Sequence, residues 1–464
     1  MATLDRLREI VKGARSAVPV VANEIALEGD GLSRRQPPAT TASAKAVELH
    51  RSGDGETYAH AALELGGALV ERSDGQVIVV DREYRADMLH GRLPVGEIVS
   101  TIEHGTEALK LMAQAWPAAK GVVAAGRQTR LLFLDLETTG LFTGAGTQAF
   151  LVGCASIEGT SIRVRQFLMP DFQHERAVLS EVKAWSNQHG TLCTYNGRSF
   201  DAPLIETRFM FHRLPCPLDG MPHLDMLHAA RRLWRQRPLA SGTPDPDDSS
   251  CSLSILEKHI AGLHRVGDVP GYEIPSRFFN FVRNGDARPL EAVLEHNRLD
   301  LISLAAVLAR AITLITSGPS AAVSAQEAYG LARVYERAGA FDDAEGSLMK
   351  AIEFAKRVGA EPEVHGEALR RLAWIRRRDR RPHEAAEAWR ELAVLPRCAA
   401  SLRREAKEAL AIHNEHRLKD LKSARQHALE LLAEGVANRA RVQHRLDRLE
   451  RKLARFTEAQ LPLN

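Results

Sequence analysis

Cysteine is scarce and scattered in this chain of 464 residues. The five cysteines include no CxxC pair, which argues against a disulfide framework and a zinc ribbon and favours a reducing, cytoplasmic setting. No apolar run approaches the roughly 18 residues of a spanning helix, because Arg310 interrupts the best one, Leu304 to Ile315. The apolar segment Ala17 to Ala22 is shorter than the roughly 7–15 residues of a secretory core. We therefore expect no membrane partner and no signal peptide.

A large charge of one sign is also missing. The 62 basic residues are nearly balanced by 59 acidic ones, which leaves a formal net charge of +3. That total conceals an asymmetry, because residues 321–464 hold 28 basic and 22 acidic residues and the rest of the chain is slightly acidic. Such an asymmetry is one sign of a nucleic-acid partner. With 44% hydrophobic and 26% charged residues, the composition is that of a folded globular protein.

Local sequence patterns divide the chain into four parts. Residues 1–55 are predicted to form a short helix and a flexible linker, and residues 56–125 carry no chemical motif. In residues 126–317, three successive strand patterns precede alternating helices and strands. That order predicts an α/β domain with a mixed sheet and flanking helices. Residues 321–464 show only helical periodicity, which predicts an all-α domain.

The all-α part contains three similar helical hairpins. Their closing alanines, Ala344, Ala385 and Ala424, are 41 and 39 residues apart, and LARVYERAGAFDDA in the first hairpin matches the tetratricopeptide pattern. Repeats of this kind bind proteins more often than nucleic acids, so a protein partner is expected here. Arginines around the second hairpin are predicted to neutralise phosphates, to bind an acidic partner or to form only a solvated face. These arginines are Arg370, Arg371, Arg376, Arg377, Arg378, Arg380 and Arg381.

Four carboxylates and one histidine stand out in the α/β part. The segment LLFLDLETTGL places Asp135 and Glu137 two residues apart at the end of a strand, so both point to one face. NGRSFDAPL places Asp201 after a later strand, near a helix start. In EHNRLDLISL, His296 and Asp300 are four residues apart and share one helix face. Adjacent carboxylates repel one another unless a divalent cation bridges them, so this set predicts a metal site.

The chemistry of these side chains narrows the expectation. Oxygen ligands favour Mg²⁺ or Mn²⁺ over zinc, and four acids can hold two such ions for phosphodiester hydrolysis. His296, whose ordinary pKa is about 6.5, is predicted to take a proton from the attacking water. Asp225, in PHLDML, is expected either to face the same cleft or to cap the helix that follows it.

Three of these motifs carry a resemblance to a known superfamily. DLETTGL, YNGRSFDAPL and HNRLD, in that order, resemble the exonuclease motifs of the DEDD superfamily on the ribonuclease H-like fold. Together with PHLDMLHAARRLW and GDVPGYEIPSRFFNFVRNGD, they look like the bacterial YprB-like ribonuclease H-like family. The match covers about residues 129–317.

The resemblance implies a role for individual residues. It makes Asp135, Glu137, Asp201 and Asp300 metal ligands and His296 the general base, with Thr138, Gly140 and Leu141 against the terminal nucleotide. Asn196 is predicted with them as substrate-binding. Three residues separate His296 from Asp300, as in the tyrosine branch of the superfamily, whereas its histidine branch has four. Whether His296 removes the proton or only positions the water therefore stays open.

These observations predict a metal-dependent 3′–5′ exonuclease that acts on DNA or RNA by a two-metal-ion mechanism. One alternative is a catalytically weak nucleic-acid-binding or scaffold protein that uses the same fold for recruitment. Another is a structure-specific endonuclease. The chain has no aromatic-rich recognition strand that would favour RNA over DNA.

Overall fold

The computed structural model describes residues 54–115, 130–140, 146–234, 251–358, 362–435 and 438–458. The helix and linker predicted for the N-terminal 55 residues lie outside the described residues, except for the last two positions of that range.

The centre of the fold is a mixed β-sheet. The strands are β1 (Ala68–Arg72), β2 (Gly75–Tyr84), β3 (Leu89–His90), β4 (Leu93–Pro94), β5 (Leu131–Thr138), β6 (Ala149–Glu158), β7 (Ser161–Leu168), β8 (Thr191–Thr194) and β9 (His223–Asp225). Seven of them form one sheet in the order β1-β2-β7-β6-β5-β8-β9, and β3 pairs with β4. Strands β5, β8 and β9 run parallel. Their carboxyl ends therefore meet at one edge, where open α/β sheets place their ligands.

Sixteen helices are described, and most of the early ones flank the sheet. They are α1 (Asp54–Glu64), α2 (Val95–Glu103), α3 (Thr106–Ala115), α4 (Glu175–Ser186), α5 (Asp201–Phe211), α6 (Met226–Leu233), α7 (Leu253–Ala261), α8 (Ile274–Asn284), α9 (Arg288–Ser317), α10 (Ala325–Ala338), α11 (Phe341–Val358), α12 (Pro362–Arg378), α13 (Pro382–Val394), α14 (Ala400–His413), α15 (Leu421–Ala433) and α16 (Arg439–Glu458). The predicted mixed sheet with flanking helices, followed by a helical region, is thus confirmed.

Strand β5 shows how sequence alternation builds the two sides of the core. Leu131 and Phe133 pack on the face that α9 covers, whereas Leu132 and Leu134 pack with β6 and α5 on the opposite face. Side chains on a strand alternate between faces. Asp135 and Glu137 therefore continue the face of Leu131 and Phe133, and the apolar stripe under α9 ends in two acids.

The sheet begins earlier in the chain than the motifs indicated. Strand β2 pairs with β7 in antiparallel register from Ile78↔Leu168 to Tyr84↔Ile162. Val77, Ile78 and Val80 are buried in the sheet core. Part of the region between residues 56 and 125, which has no chemical motif, is therefore structurally continuous with the α/β domain.

The helical region shares a core with the α/β domain. Helix α10 packs on α6, where Gly330 lies so close to the backbone that an added Cβ would be 2.5 Å from the carbonyl oxygen of Leu233. Tyr335 donates a hydrogen bond of 2.8 Å to the carbonyl of Ile315. The helices from α10 to α15 follow one another as three antiparallel pairs, in which Ala344, Ala385 and Ala424 are buried.

The expectation that no apolar stretch has the length of a spanning helix is wrong: the helical stretch Arg288–Ala321 has the length and apolar composition to cross a membrane, with a mean hydropathy of 1.9 in its most apolar window. Within the fold, 72% of that window is buried. Burial of this extent is what the central helix of a packed core shows.

Candidate active site

The carboxylates of Asp135 and Glu137 on β5 are largely removed from solvent and lie near other acids. Burial, followed by the charges of Asp300, Glu137 and Asp201, raises the pKa of Asp135 well above its usual value. Burial and the charges of Asp300 and Asp201 likewise raise the pKa of Glu137 to about 8. Carboxylates that raise one another's pKa in this way lie within electrostatic range of each other. The structure therefore places the four predicted acids within electrostatic range of one another.

Asp201 reaches this cluster from the first turn of α5. Its carboxylate accepts hydrogen bonds from its own backbone N–H and from the backbone N–H of Leu136. Leu136 lies between Asp135 and Glu137 on β5. Burial is the main cause that raises the pKa of Asp201 to about 7, with Asp225 and Asp300 adding repulsion. The chain can enter α5 here because Gly197 leaves no Cβ to collide with Thr194, which would be 2.6 Å away.

Asp225 fixes the loop that carries Asp201. It caps α6 by accepting a hydrogen bond of 3.0 Å from the backbone of Leu227. The same carboxylate accepts from the backbone of Asn196 at 2.8 Å and of Arg198 at 3.1 Å. The predicted capping role is confirmed, and the two further bonds make Asp225 a clamp on the loop between β8 and α5.

Helix α9 supplies the remaining predicted residues. Nε2 of His296 lies 3.7 Å from Oδ2 of Asp300 and 3.9 Å from Oε1 of Glu137. The neighbouring Asn297 is fully buried and donates from Nδ2 to Oδ2 of Asp135 at 2.8 Å. One face of α9 therefore presents a histidine and a carboxylate to the cleft, and an adjacent amide fixes the first carboxylate of β5.

Three residues of the site were missed by the sequence patterns: Arg265, Asp268 and Asn297. Oδ1 of Asp268 lies 2.7 Å from Nδ1 of His296, and Arg265 forms an ion pair with Asp300. Arg265 and Asp268 come from the connection between α7 and α8, where no periodicity points to a role. The signal for Asn297 was its position in HNRLD, directly after His296.

The predicted substrate-binding residues lie in different parts of the fold. Thr138 ends β5 and donates from Oγ1 to the carbonyl of Gly140 at 2.7 Å, so both residues belong to the turn after the acidic strand end. Asn196 adopts a left-handed φ of 66° at the end of β8. Leu141 lies outside the described residues.

The donor set fits Mg²⁺ or Mn²⁺ in its chemistry. It consists of carboxylate oxygens, which hard divalent cations prefer, and burial together with the charges of neighbouring carboxylates raises the pKa of Asp135 and Glu137. In the part of the chain that the structure describes, however, no three His, Cys, Asp or Glu side chains converge closely enough to hold a metal ion. One carboxylate oxygen of Asp300 is engaged by Arg265 instead.

The arginines of the second hairpin are less available than their number suggests. Glu345 pairs with Arg376 and Arg381, Glu336 pairs with Arg371, and Glu405 lies 3.5 Å from Arg370. Much of this positive charge is therefore balanced within the helical region, which weakens the case for phosphate binding there.

The α/β domain resembles a known protein superfamily in sequence. Residues 132–312 match the family model described as the RNase_H superfamily, so the chain contains a ribonuclease H-like domain. Members of this superfamily are generally nucleases.

A curated relative resembles about half of the chain. It is the "Uncharacterized protein YprB" of Bacillus subtilis (strain 168), which is 35% identical over 231 residues. The aligned part covers 49% of this chain and 52% of the relative. The chain therefore spans about half the length of the curated relative that it matches.

Proposed function

We propose that the ribonuclease H-like domain is a 3′–5′ exonuclease that hydrolyses phosphodiester bonds of nucleic acid with two Mg²⁺ or Mn²⁺ ions. The proposal depends on the proximity of four carboxylates and His296 at one end of the sheet. The carboxylates are those of Asp135, Glu137, Asp201 and Asp300. Two cations bound there would supply positive charge for the attacking and leaving oxygens of the phosphodiester.

The protein's own groups account for the proton transfer. Asp268 accepts a hydrogen bond from Nδ1 of His296, and a neutral imidazole with its hydrogen on Nδ1 carries a lone pair on Nε2. That Nε2 atom faces Glu137 and Asp300 across distances of 3.9 and 3.7 Å. His296 is therefore oriented to take a proton from water in the cleft, which is the role of a general base.

The turn after β5 supports a proposal for the substrate contact. The backbone N–H of Thr139 donates to the carbonyl of Gln148 at 2.9 Å, and the Thr139 hydroxyl accepts from the backbone N–H of Gln148 at 3.0 Å. These bonds fix the turn that holds Thr138 and Gly140 beside the carboxylates. We expect the terminal nucleotide to lie against this turn and near Asn196, and the helical region to hold a protein partner or the rest of the substrate through tetratricopeptide-like repeats.

The assay for this function is product analysis with a purified full chain. An oligonucleotide labelled at its 5′ end should shorten one nucleotide at a time in Mn²⁺ and release nucleoside monophosphates. Internal fragments in place of mononucleotides would show a structure-specific endonuclease instead. Matched single-stranded and duplex DNA and RNA substrates would establish the preferred nucleic acid.

A second function is favoured by one observation, the ion pair between Arg265 and Asp300, which engages a predicted metal ligand. If that pair keeps Asp300 from binding a cation, the domain serves as a nucleic-acid-binding or recruitment module. Oligonucleotides that stay intact in Mg²⁺ and Mn²⁺ but bind in a salt-sensitive way would support this function and contradict the exonuclease.

A further inference from the structure

Arg265 is a buried cation at the edge of the acidic cleft. Only 6% of its side chain is exposed, and it forms a forked pair with Glu257, whose two carboxylate oxygens accept from Nε and Nη2 at 2.8 Å each. Nη2 also donates to Oδ1 of Asp300. Arg265 therefore joins the buried Glu257 to Asp300 of the cleft. Because Glu257 holds the guanidinium in place, the guanidinium can fix the orientation of Asp300.

Glu257 is itself firmly held. Its side chain is 1% exposed, and Oε2 accepts a third hydrogen bond, of 2.6 Å, from the hydroxyl of Ser303 on α9. Ser303 has one hydrogen to donate, so its oxygen accepts from Nε2 of His90 at 2.9 Å. Burial, with the charge of Arg265 adding to it, lowers the pKa of His90 to about 4, so this imidazole stays neutral. The anchor thus runs from β3 through α9 to Arg265.

Besides Glu257, Arg265 contacts two carboxylates of the cleft, Asp300 and Asp268, and leaves one oxygen of each for His296. Asp300 meets Arg265 through Oδ1, and its Oδ2 lies 3.7 Å from Nε2 of His296. Asp268 lies 3.5 Å from Nη1 of Arg265 through Oδ2, and its Oδ1 lies 2.7 Å from Nδ1 of His296. The guanidinium therefore sets the orientation of both acids that flank the imidazole.

We infer that Arg265, anchored by Glu257, is a positioning residue that orients Asp300 for cation binding and Asp268 for its bond to His296. The inference rests on the proposed function, and it adds a role for a residue outside the four acids and the histidine. A purely stabilising ion pair needs only one acid, because a buried pair contributes little net stability over an apolar substitute. Arg265 instead contacts three carboxylates, and two of them belong to the cleft.

The test compares Arg265→Lys and Arg265→Gln with the unaltered full chain. Lysine keeps the charge and loses the fork that spans Glu257, Asp300 and Asp268. Loss of a residue that orients a metal ligand typically costs about 10–100-fold in metal affinity or activity. We expect Mn²⁺ affinity, measured by electron paramagnetic resonance, to fall at least about tenfold in both variants. We also expect kcat to fall, with little change in KM for the oligonucleotide.

Arg310→Gln is the matched control, because Arg310 on α9 is another partly buried arginine in an ion pair, with Glu327 at 2.6 Å, and neither partner belongs to the predicted site. It should leave Mn²⁺ affinity unchanged. Glu257→Gln should weaken Mn²⁺ binding in the same direction as Arg265→Lys, since it removes the anchor.

The outcomes separate the inference from the proposed function. Mn²⁺ affinity equal to or tighter than that of the unaltered chain in Arg265→Lys and Arg265→Gln would overturn the positioning role, and tighter binding would show that Arg265 competes with the cation. An unaltered chain that binds Mn²⁺ but hydrolyses no oligonucleotide would overturn the exonuclease, and the binding comparison would still decide the role of Arg265. An unaltered chain that binds no Mn²⁺ would overturn both.

Discussion

Asn297 on α9 donates a hydrogen bond of 2.8 Å to Oδ2 of Asp135 on β5, and it lies directly over Gly153 of the neighbouring strand. The amide oxygen of Asn297 in turn accepts from the buried Gln166 at 2.8 Å. Gln166 thus holds the amide of Asn297, and Asn297 in turn fixes one orientation of the Asp135 carboxylate. This contact depends on the absence of a side chain at residue 153.

Gly153→Ala should therefore disturb the site without changing any polar group. An added Cβ would lie 2.0 Å from Oδ1 of Asn297, so the amide must move. We expect a loss of about 1–3 kcal/mol in the free energy of unfolding, as for other overpacked cores, together with weaker Mn²⁺ binding. Gly346→Ala in α11 is the control, since the added Cβ meets only Pro319 at 3.9 Å. Equal stability of the two variants would contradict the packing argument.

The acidic cluster should make the metal-free protein less stable as the pH rises. The pKa of Glu137 is raised from 4.5 to about 8. An acid whose pKa is higher in the folded state stabilises the fold below its unfolded value and loses that contribution as the pH rises through the folded value. Stability in EDTA should therefore fall between pH 4.5 and about 8. Glu137→Gln should flatten this fall, because an amide does not ionise.

Denaturant unfolding across that pH range measures the effect, and Glu415→Gln is its control. Although burial opposes the shift, hydrogen bonds from Arg448 and Lys452 lower the pKa of Glu415 to about 2. A lowered pKa contributes stability that is lost only as the pH falls, so this variant should be less stable and keep the original slope between pH 4.5 and 8. A slope that Glu137→Gln leaves unchanged would show that this carboxyl does not titrate as described.

Asp225→Ala should affect both stability and activity. It removes the cap of α6, which costs about 1 kcal/mol, and it releases the backbone of Asn196 and Arg198 in the loop before Asp201. We expect the initial rate of nucleotide release to fall at least about tenfold, as when a residue that supports a metal ligand is lost. Asp420→Ala removes a similar cap from α15, where Asp420 accepts from Ser423 at 3.0 Å. That control should lose stability and keep its activity.

The shared core predicts that the α/β domain and the first repeat helices unfold together. Glu327 on α10 accepts from Trp234 at 2.9 Å and from Arg310 at 2.6 Å. Glu327→Ala removes the carboxylate from a partly buried pair, and we expect a cost near the lower end of the roughly 3–5 kcal/mol that such losses cause. Glu353→Ala, at the exposed pair with Lys350, should cost less than about 1 kcal/mol. Two separate unfolding transitions, monitored by tryptophan fluorescence, would contradict a shared core.

Much of the site could be predicted because its residues follow regular patterns. The alternation along β5 and the four-residue spacing of His296 and Asp300 on α9 are local features, and each fixes a face. The positions of Arg265 and Asp268 depend on the connection between α7 and α8, which has no periodicity to indicate a direction. The pairing of β2 with β7 joins segments about 80 residues apart. Neither segment alone contains a pattern that predicts which strand it pairs with.

The central claim is that the four carboxylates act together in hydrolysis. The test is the rate at which a 5′-labelled oligonucleotide shortens in Mn²⁺ when incubated with the unaltered chain, Asp135→Asn or Asp300→Asn. Asp286→Asn, which alters an exposed acid paired with Arg288 at 2.8 Å, is the control. We expect stepwise shortening by the unaltered chain and the control and none by the two site variants. Undiminished shortening by Asp135→Asn and Asp300→Asn would contradict it.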